Sequence, residues 1–420
     1  MTAKEELSSI VKERKIYCYG AGEYGKVVGY ALMEMHADFE GYLVSDICNS
    51  PDTVLRKKVV RFEKTILKKG DLVLICANVL IREQIQKVLI DQGINDYYII
   101  DDAMINELRN TIIFDLDVVT NKFINILLYH RVCKIKGDYF NLAVDPEEFE
   151  KQVIYLKNNY NILRFEDDWK NVKEKSVVIT FDDGYVDNYR FAFPILKKYK
   201  VPATIFISTD NIDTDNKFWW DELADMIFGN LCLPQGIEYK GKEYRLELEE
   251  EKIYFVQNIR RILMSLNATD RKRELSNIQK LLNYVPKVED ADRSLNTKEI
   301  FELAKSDIIT IGAHTKSHSM LSGLPYEEQY EEIRCSKSIL EKITERKIDV
   351  FSFPFGNSGD YSKETMNIVQ KCGFSKAAAV NGGLYSQKIN KYEIPRNNIV
   401  GGTTISLFEK MLRQQWFEYS

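Results

Sequence analysis

Two hydrophobic rhythms alternate along the first hundred residues. Short apolar runs at Lys15 to Tyr19, Phe39 to Val44, Asp71 to Ala77 and Tyr97 to Ile100 have strand length. Between them, Glu23 to His36 places Val27, Val28, Ala31, Leu32 and Met35 at helical spacing, and Val79 to Gln92 repeats that period. Strand–helix alternation predicts a parallel sheet of about four strands with right-handed crossovers. The rhythm pauses from Leu108 to Lys122, where no Pro or Gly marks a boundary, and then restarts. Residues 1–110 and 120–420 are therefore expected to fold as separate domains.

In the second part, strands are predicted at Phe123 to Tyr129, Ser176 to Phe181, Ala203 to Ser208, Ile308 to Gly312 and Asp349 to Phe353, with Lys376 to Val380 and Ile394 to Ile399 as two more candidates. Helical patterns separate most of them; Asp145 is placed to cap one that starts at Pro146. Short strands spaced by helices over this length predict a distorted (β/α) barrel, so the whole chain reads as α/β. Residues 213–300 break the rhythm. Trp219-Trp220-Asp221-Glu222-Leu223 opens a helical pattern, and charged helices follow at Glu249 to Ser265 and Asp270 to Leu282. The stretch reads as a helical insertion between barrel units.

Composition narrows the function. The 420 residues carry 58 Lys plus Arg against 63 Asp plus Glu, a net charge of -5 with no basic stripe, which argues against nucleic acid as a partner. No apolar run reaches the length of a spanning helix, and the first residues lack a signal-peptide core. Seven scattered cysteines without a Cys-x-x-Cys pair exclude a zinc ribbon or redox motif and suit a reducing compartment. A cytoplasmic location is expected.

Three strand ends carry chemistry. Val177 to Phe181 runs out into Asp182-Asp183-Gly184-Tyr185, and adjacent carboxylates are unfavourable unless they share a cation or a proton, although Asp-Gly is also a common turn pair. Ile308 to Gly312 runs out into His314-Thr315-Lys316-Ser317-His318, two of only four histidines in the chain. At that spacing both imidazoles can face one ion, or they are two surface histidines. Two His and one carboxylate leave open positions on zinc or a similar metal. Val350 to Phe353 meets Pro354-Phe355-Gly356, where a turn can offer a backbone N–H to an oxyanion or be an ordinary turn.

These segments resemble the motifs of the polysaccharide deacetylase family, that is, carbohydrate esterase family four with its NodB-homology domain. Thr180-Phe181-Asp182-Asp183-Gly184 matches the first motif, His314-Thr315-Lys316-Ser317-His318 the second, and Phe353-Pro354-Phe355-Gly356 is similar to the third. The resemblance covers roughly residues 120–420. It implies a distorted (β/α) barrel that removes acetyl groups from sugars, with a divalent metal, zinc above all, held by Asp183, His314 and His318. It further implies Asp182 as general base and the Phe355 backbone N–H as an oxyanion donor. Tyr185, Pro354, Arg396 and Trp220 are the candidate substrate contacts; Arg396 could instead orient a carboxylate, and Trp219 and Trp220 could instead anchor the insertion.

The family's late general-acid histidine is missing, since no histidine follows His318. Of the remaining two, His130 ends an apolar strand. Tyr129-His130-Arg131-Val132, with Val144-Asp145-Pro146-Glu147-Glu148-Phe149 after it, resembles a circularly permuted branch of the family that includes bacterial poly-N-acetylglucosamine deacetylases. His130 is therefore expected to be the acid, the alternative being a core histidine.

In the first domain Gly20-Ala21-Gly22-Glu23-Tyr24-Gly25 follows a strand and opens a helix, as in a Rossmann-like phosphate loop. Gly20, Gly22 and Gly25, with Asp46 after the second strand as a ribose partner, are the candidate contacts for a nucleotide or nucleotide-sugar. Glu23 opposes an anionic ligand, and a purely structural role such as dimerisation competes. The expected activity is removal of an acetyl group, N-acetyl first, from a nucleotide-linked, lipid-linked or small sugar intermediate of bacterial surface-glycan synthesis. The rivals are a non-catalytic sugar or nucleotide sensor and an amidase acting on a non-sugar amide.

Overall fold

The structure is a computed structural model that describes residues 2–45, 53–55, 57–63, 66–77, 79–111, 123–135, 137–172, 174–230, 232–285 and 292–418. Asp46, expected as a ribose partner, and most of the boundary stretch lie outside the described residues. The chain divides into two compact units, residues 1–120 with 413–420 and residues 121–412.

The first unit starts with α1 (Ala3–Val11), whose first turn is closed by reciprocal hydrogen bonds between Thr2 and Glu5. It continues through β1 (Ile16–Tyr19), α2 (Glu23–Glu34), β2 (Phe39–Val44), β3 (Thr53–Val54), β4 (Lys57–Arg61), β5 (Leu72–Ile75), α3 (Val79–Asp91), β6 (Tyr97–Ile99) and α4 (Asp102–Thr111). The sheet has six strands, not four, in the order β3-β4-β2-β1-β5-β6, parallel except for β3 against β4. Lys57, Lys58 and Arg61 mask β4: only Val59 is buried there, so the strand has no apolar signature. β1 lies between β2 and β5, the switch point of a doubly wound sheet.

The second unit is a curled parallel sheet. Its elements are β7 (Ile124–Tyr129), β8 (Arg131–Val132), β9 (Ala143–Val144), α5 (Pro146–Asn159), β10 (Asn161–Leu163), β11 (Ser176–Phe181), α6 (Phe193–Tyr199), β12 (Ala203–Ile207), α7 (Trp219–Phe228), β13 (Gly236–Tyr239), β14 (Lys242–Arg245), α8 (Glu249–Met264), α9 (Ala268–Leu281), α10 (Thr297–Lys305), β15 (Ile309–Ala313), α11 (Tyr326–Thr344), β16 (Val350–Ser352), α12 (Lys363–Lys371), β17 (Lys376–Ala378), β18 (Asn397–Asn398) and the part of α13 (Ile405–Glu418) that ends at Leu412. The main path runs β17-β16-β15-β12-β11-β7-β18, with β10 beside β11. Ile394 bridges to Ala378 while Asn397 pairs with Leu127, so one short segment joins the two ends of the path and gives a distorted (β/α) barrel. β7 and β11 are buried at every position, as strands with both faces covered must be. The insertion is not wholly helical: the β13–β14 hairpin sits between α7 and α8, and all three helices share one apolar cluster.

Candidate active site

The candidate residues sit at the ends of barrel strands. Asp182 and Asp183 follow β11, His314 follows β15, Ser352 ends β16 and His130 follows β7. In a parallel barrel these carboxyl ends form the face on which catalytic groups collect. The loops are held in costly conformations: Asp183, Thr315, His318 and Phe355 are non-glycine residues with φ of 73°, 61°, 53° and 61°. Each such residue costs on the order of 1–3 kcal/mol, strain that clusters where geometry serves function. Gly184, at φ 83°, leaves no room for a side chain, because a Cβ there would lie 2.9 Å from Ile207.

Asp183, His314 and His318 meet, with one donor atom from each inside a circle of 4.8 Å. Asp183 Oδ1 lies 3.2 Å from His318 Nε2 and 3.5 Å from His314 Nε2. His314 Nδ1 donates to the Ser352 carbonyl at 2.8 Å, which turns Nε2 toward the carboxylate. Burial pushes His318 down to about 4 against the pull of Asp183, so its imidazole is neutral at pH 7. Burial also opposes protonation of His314, but Asp182, Asp183 and the Ser352 carbonyl outweigh it and hold that ring above the ordinary range. Burial would raise the Asp183 carboxyl, yet the two imidazoles hold it far below the usual carboxylate range. Asp183 Oδ1 is buried and accepts no hydrogen bond among the described residues. A buried anionic oxygen without a donor, between two imidazole nitrogens, is a donor set that fits a divalent cation.

Asp182 stands outside that trio. Arg396 grips it with two parallel bonds, Nη1 to Oδ1 at 2.7 Å and Nη2 to Oδ2 at 2.6 Å, and the Ser352 hydroxyl adds a third at 3.1 Å. The guanidinium is fully buried and also donates to the Ala379 carbonyl and the Thr180 hydroxyl. Burial alone would raise the Asp182 carboxyl; Arg396 and His314 reverse that and keep it ionised. His130 is half-buried, its Nδ1 accepts and donates nothing among the described residues, and its carbonyl takes a bond from Asn188. Burial lowers its pKa, opposed by the charges of Asp183 and Asp182. The Phe355 ring packs edge-on to His318, with centroids 4.7 Å apart.

Three of the expected substrate contacts are spent on the protein itself. Tyr185 and Arg396 are fully buried, and Trp220 is 5% exposed, stacked on Phe218 and tilted against His318. Arg396 orients Asp182, and Trp220 ties the insertion to the barrel. Pro354 is buried beside Phe355. A cleft of about 710 Å³ opens beside His318, bordered by Trp219, Arg271 and Gln279 from the insertion and by Asp210, Asn211 and Lys316 from barrel loops. Ser352 and Asp221 carried no signal in the sequence. A serine at the end of an apolar strand and an aspartate in a helical first turn both have ordinary explanations.

In the first unit, Gly20 has φ 117°, and a Cβ on Gly25 would fall 1.9 Å from the Gly20 carbonyl oxygen. Strand–helix packing therefore requires both glycines. Gly22 is the N-cap of α2 and has open space at its Cβ position.

A (β/α) barrel with an Asp–His–His cluster and a tethered second carboxylate at its strand ends has the layout of a hydrolase centre. The family model described as polysaccharide deacetylase matches residues 170–230 and 261–377, the larger part of the second unit, which is similar to that family over this stretch. It is 25% identical over 292 residues to YxkH of Bacillus subtilis, a protein provisionally named as a polysaccharide deacetylase, covering 67% of this chain and 74% of that one. An 83-residue stretch is 39% identical to the poly-beta-1,6-N-acetyl-D-glucosamine N-deacetylase of Staphylococcus aureus, covering 18% of this chain and 28% of that enzyme. Among solved structures, the Streptococcus pyogenes deacetylase PplD in complex with acetate matches at 19% identity and TM-score 0.46, over 69% of this chain and 98% of that one. No helix among the described residues is long and apolar enough to cross a membrane.

Proposed function

We propose that the protein is a metal-dependent deacetylase that hydrolyses an N-acetyl group on a sugar of bacterial surface-glycan synthesis. The observation that carries this reading is the convergence of Asp183, His314 and His318 around a buried oxygen that has no hydrogen-bond donor among the described residues. These three residues would hold the cation, with zinc favoured by the nitrogen-rich set. When bound, a divalent cation supplies Lewis-acid polarisation of the acyl carbonyl and makes water a better nucleophile.

The protein's own groups supply the rest. Asp182 is ionised, lies outside the ligand trio and is fixed by Arg396, so it can take the proton of an attacking water without moving. The Phe355 N–H, at the turn after β16, is assigned to the developing oxyanion. His130 Nδ1 or Nε2 is assigned to protonate the departing amine, because an amide nitrogen cannot leave as an anion. The Rossmann-like unit is assigned to a nucleotide or nucleotide-sugar at the start of α2, with calorimetry against such compounds as its test.

The direct test combines metal analysis of the purified protein with acetate release from N-acetylglucosamine oligomers and nucleotide-sugars. The reading expects about one zinc per chain and acetate release that stops on chelation. It expects Asp183→Asn and His314→Gln to lose both metal and turnover. A protein that binds metal and sugar but releases no acetate would be a sensor, and acetate release only from non-sugar amides would make it an amidase.

A further inference from the structure

The two histidines of the cluster are held in different ways. His314 has its second ring nitrogen bonded to the Ser352 carbonyl at 2.8 Å, the usual arrangement by which a protein fixes a ligand imidazole. His318 has none among the described residues: its Nδ1 is buried and without a hydrogen-bond partner there. Its backbone N–H is tied to Thr315 Oγ1 at 3.0 Å, but that bond leaves rotation of the ring about its own side-chain bonds unconstrained.

Rings fill that role instead. Trp220 tilts across the imidazole with centroids 4.5 Å apart, and Phe355 meets it edge-on at 4.7 Å. Trp220 is itself locked. Its Nε1–H donates to the Tyr185 hydroxyl at 2.7 Å, the Tyr185 hydroxyl donates to Asp221 Oδ2 at 2.6 Å, and the indole stacks on Phe218 at an interplanar angle of 8°. Tyr185 lies two residues after Asp183, whereas Trp220 and Asp221 open the first insertion helix. The hydrogen-bonded chain thus runs from the segment of one metal-site residue, through the insertion, to the ring of another.

We propose that Trp220, locked by Tyr185 and Asp221, is a positioning residue that sets the ring plane of His318, so that the insertion is part of the metal site. The proposal rests on the deacetylase reading only in taking the Asp183–His314–His318 trio as the metal's ligands. Losing the groups that orient a ligand imidazole typically weakens metal binding by about 10–100-fold.

The test measures zinc affinity of the full chain by competition with a chromophoric chelator, beside the absorption spectrum of the cobalt-substituted protein. Trp220→Ala is expected to weaken zinc binding at least about tenfold and to alter the cobalt ligand-field bands. Trp220→Phe, which keeps a ring but loses the N–H, is expected to restore most of the affinity. Tyr185→Phe, which unlocks the indole, should fall between wild type and Trp220→Ala. Leu223→Ala truncates the same helix in its buried core; it should lower stability and leave zinc affinity unchanged. Unchanged zinc affinity and cobalt spectrum in a folded Trp220→Ala protein would overturn the proposal, as would an equal loss in Leu223→Ala. Wild-type protein that takes up no metal would instead overturn the deacetylase reading.

Discussion

Arg396 is the residue on which the Asp182 carboxylate depends. It is fully buried and makes a two-pronged pair with Asp182, whose charge is likewise cut off from solvent. Removing one partner of such a pair costs about 3–5 kcal/mol, because the other charge is left buried and alone. Arg396→Met is therefore expected to lower stability to denaturant by that amount and to abolish turnover, whereas Arg396→Lys keeps the charge but not the fork and should lie between. Denaturant titration with acetate release checks both. His130 has a separate test. An acid that protonates an amine leaving group matters far less when the leaving group is a stable phenolate, so His130→Ala should lose amide turnover by about 100-fold or more yet retain most cleavage of an activated acetyl ester. Equal losses on both substrates would remove the acid role. His314 and His318 stood out in the sequence because they follow a strand in a chain with four histidines, whereas Asp183 rather than Asp182 as their partner came from the resemblance of the strand-end motif to the family. Arg396 was legible as a residue but not as a tether, because nothing in its flanking residues says which side chain 214 positions away it will meet.

The insertion shows what periodicity misses in an element. α8 and α9 were readable from their helical spacing, whereas the β13–β14 hairpin was not: Lys242, Glu243 and Arg245 are exposed and only Tyr244 of β14 is buried. Long-range polar contacts were equally invisible, including the buried pair Arg131–Asp187 and the links from Asp292 to Arg131 and Lys217 beneath the insertion. At the head of α7, burial pushes the Asp221 carboxyl up to about 7, with Arg131 and the Tyr185 hydroxyl pulling it back. A carboxyl raised in the folded state keeps its proton there after the unfolded chain has released its own. Stability from this group is full below about pH 4 and falls as the pH rises to about 7. Asp221→Asn keeps an acceptor for Tyr185 and removes the titration. Between pH 4 and 8 the melting temperature of wild type should decline relative to Asp221→Asn, and parallel curves would show that Asp221 titrates normally.

Across the whole molecule, two compact units have separate apolar clusters. Among the described residues the cluster able to hold a metal lies in the second unit. A ligand that binds only folded protein adds RT ln(1 + [L]/Kd) to the stability of the unit that holds it, about 2.7 kcal/mol at a hundredfold excess over Kd. Calorimetry of the full chain should therefore resolve a transition that rises with zinc and another that does not, and Asp183→Asn should abolish the zinc response while leaving the insensitive transition in place. The same experiment addresses the first unit. Gly20 and Gly25 are explained by packing alone, so the glycine-rich loop no longer argues by itself for a phosphate, and Gly22 at the open N-cap of α2 is the position a ligand would use. A nucleotide-sugar that the first unit binds must raise the zinc-insensitive transition in proportion to the logarithm of its concentration. If nucleotide-sugars raise only the zinc-sensitive transition, they bind at the barrel as substrate, and the glycine-rich loop is a packing device.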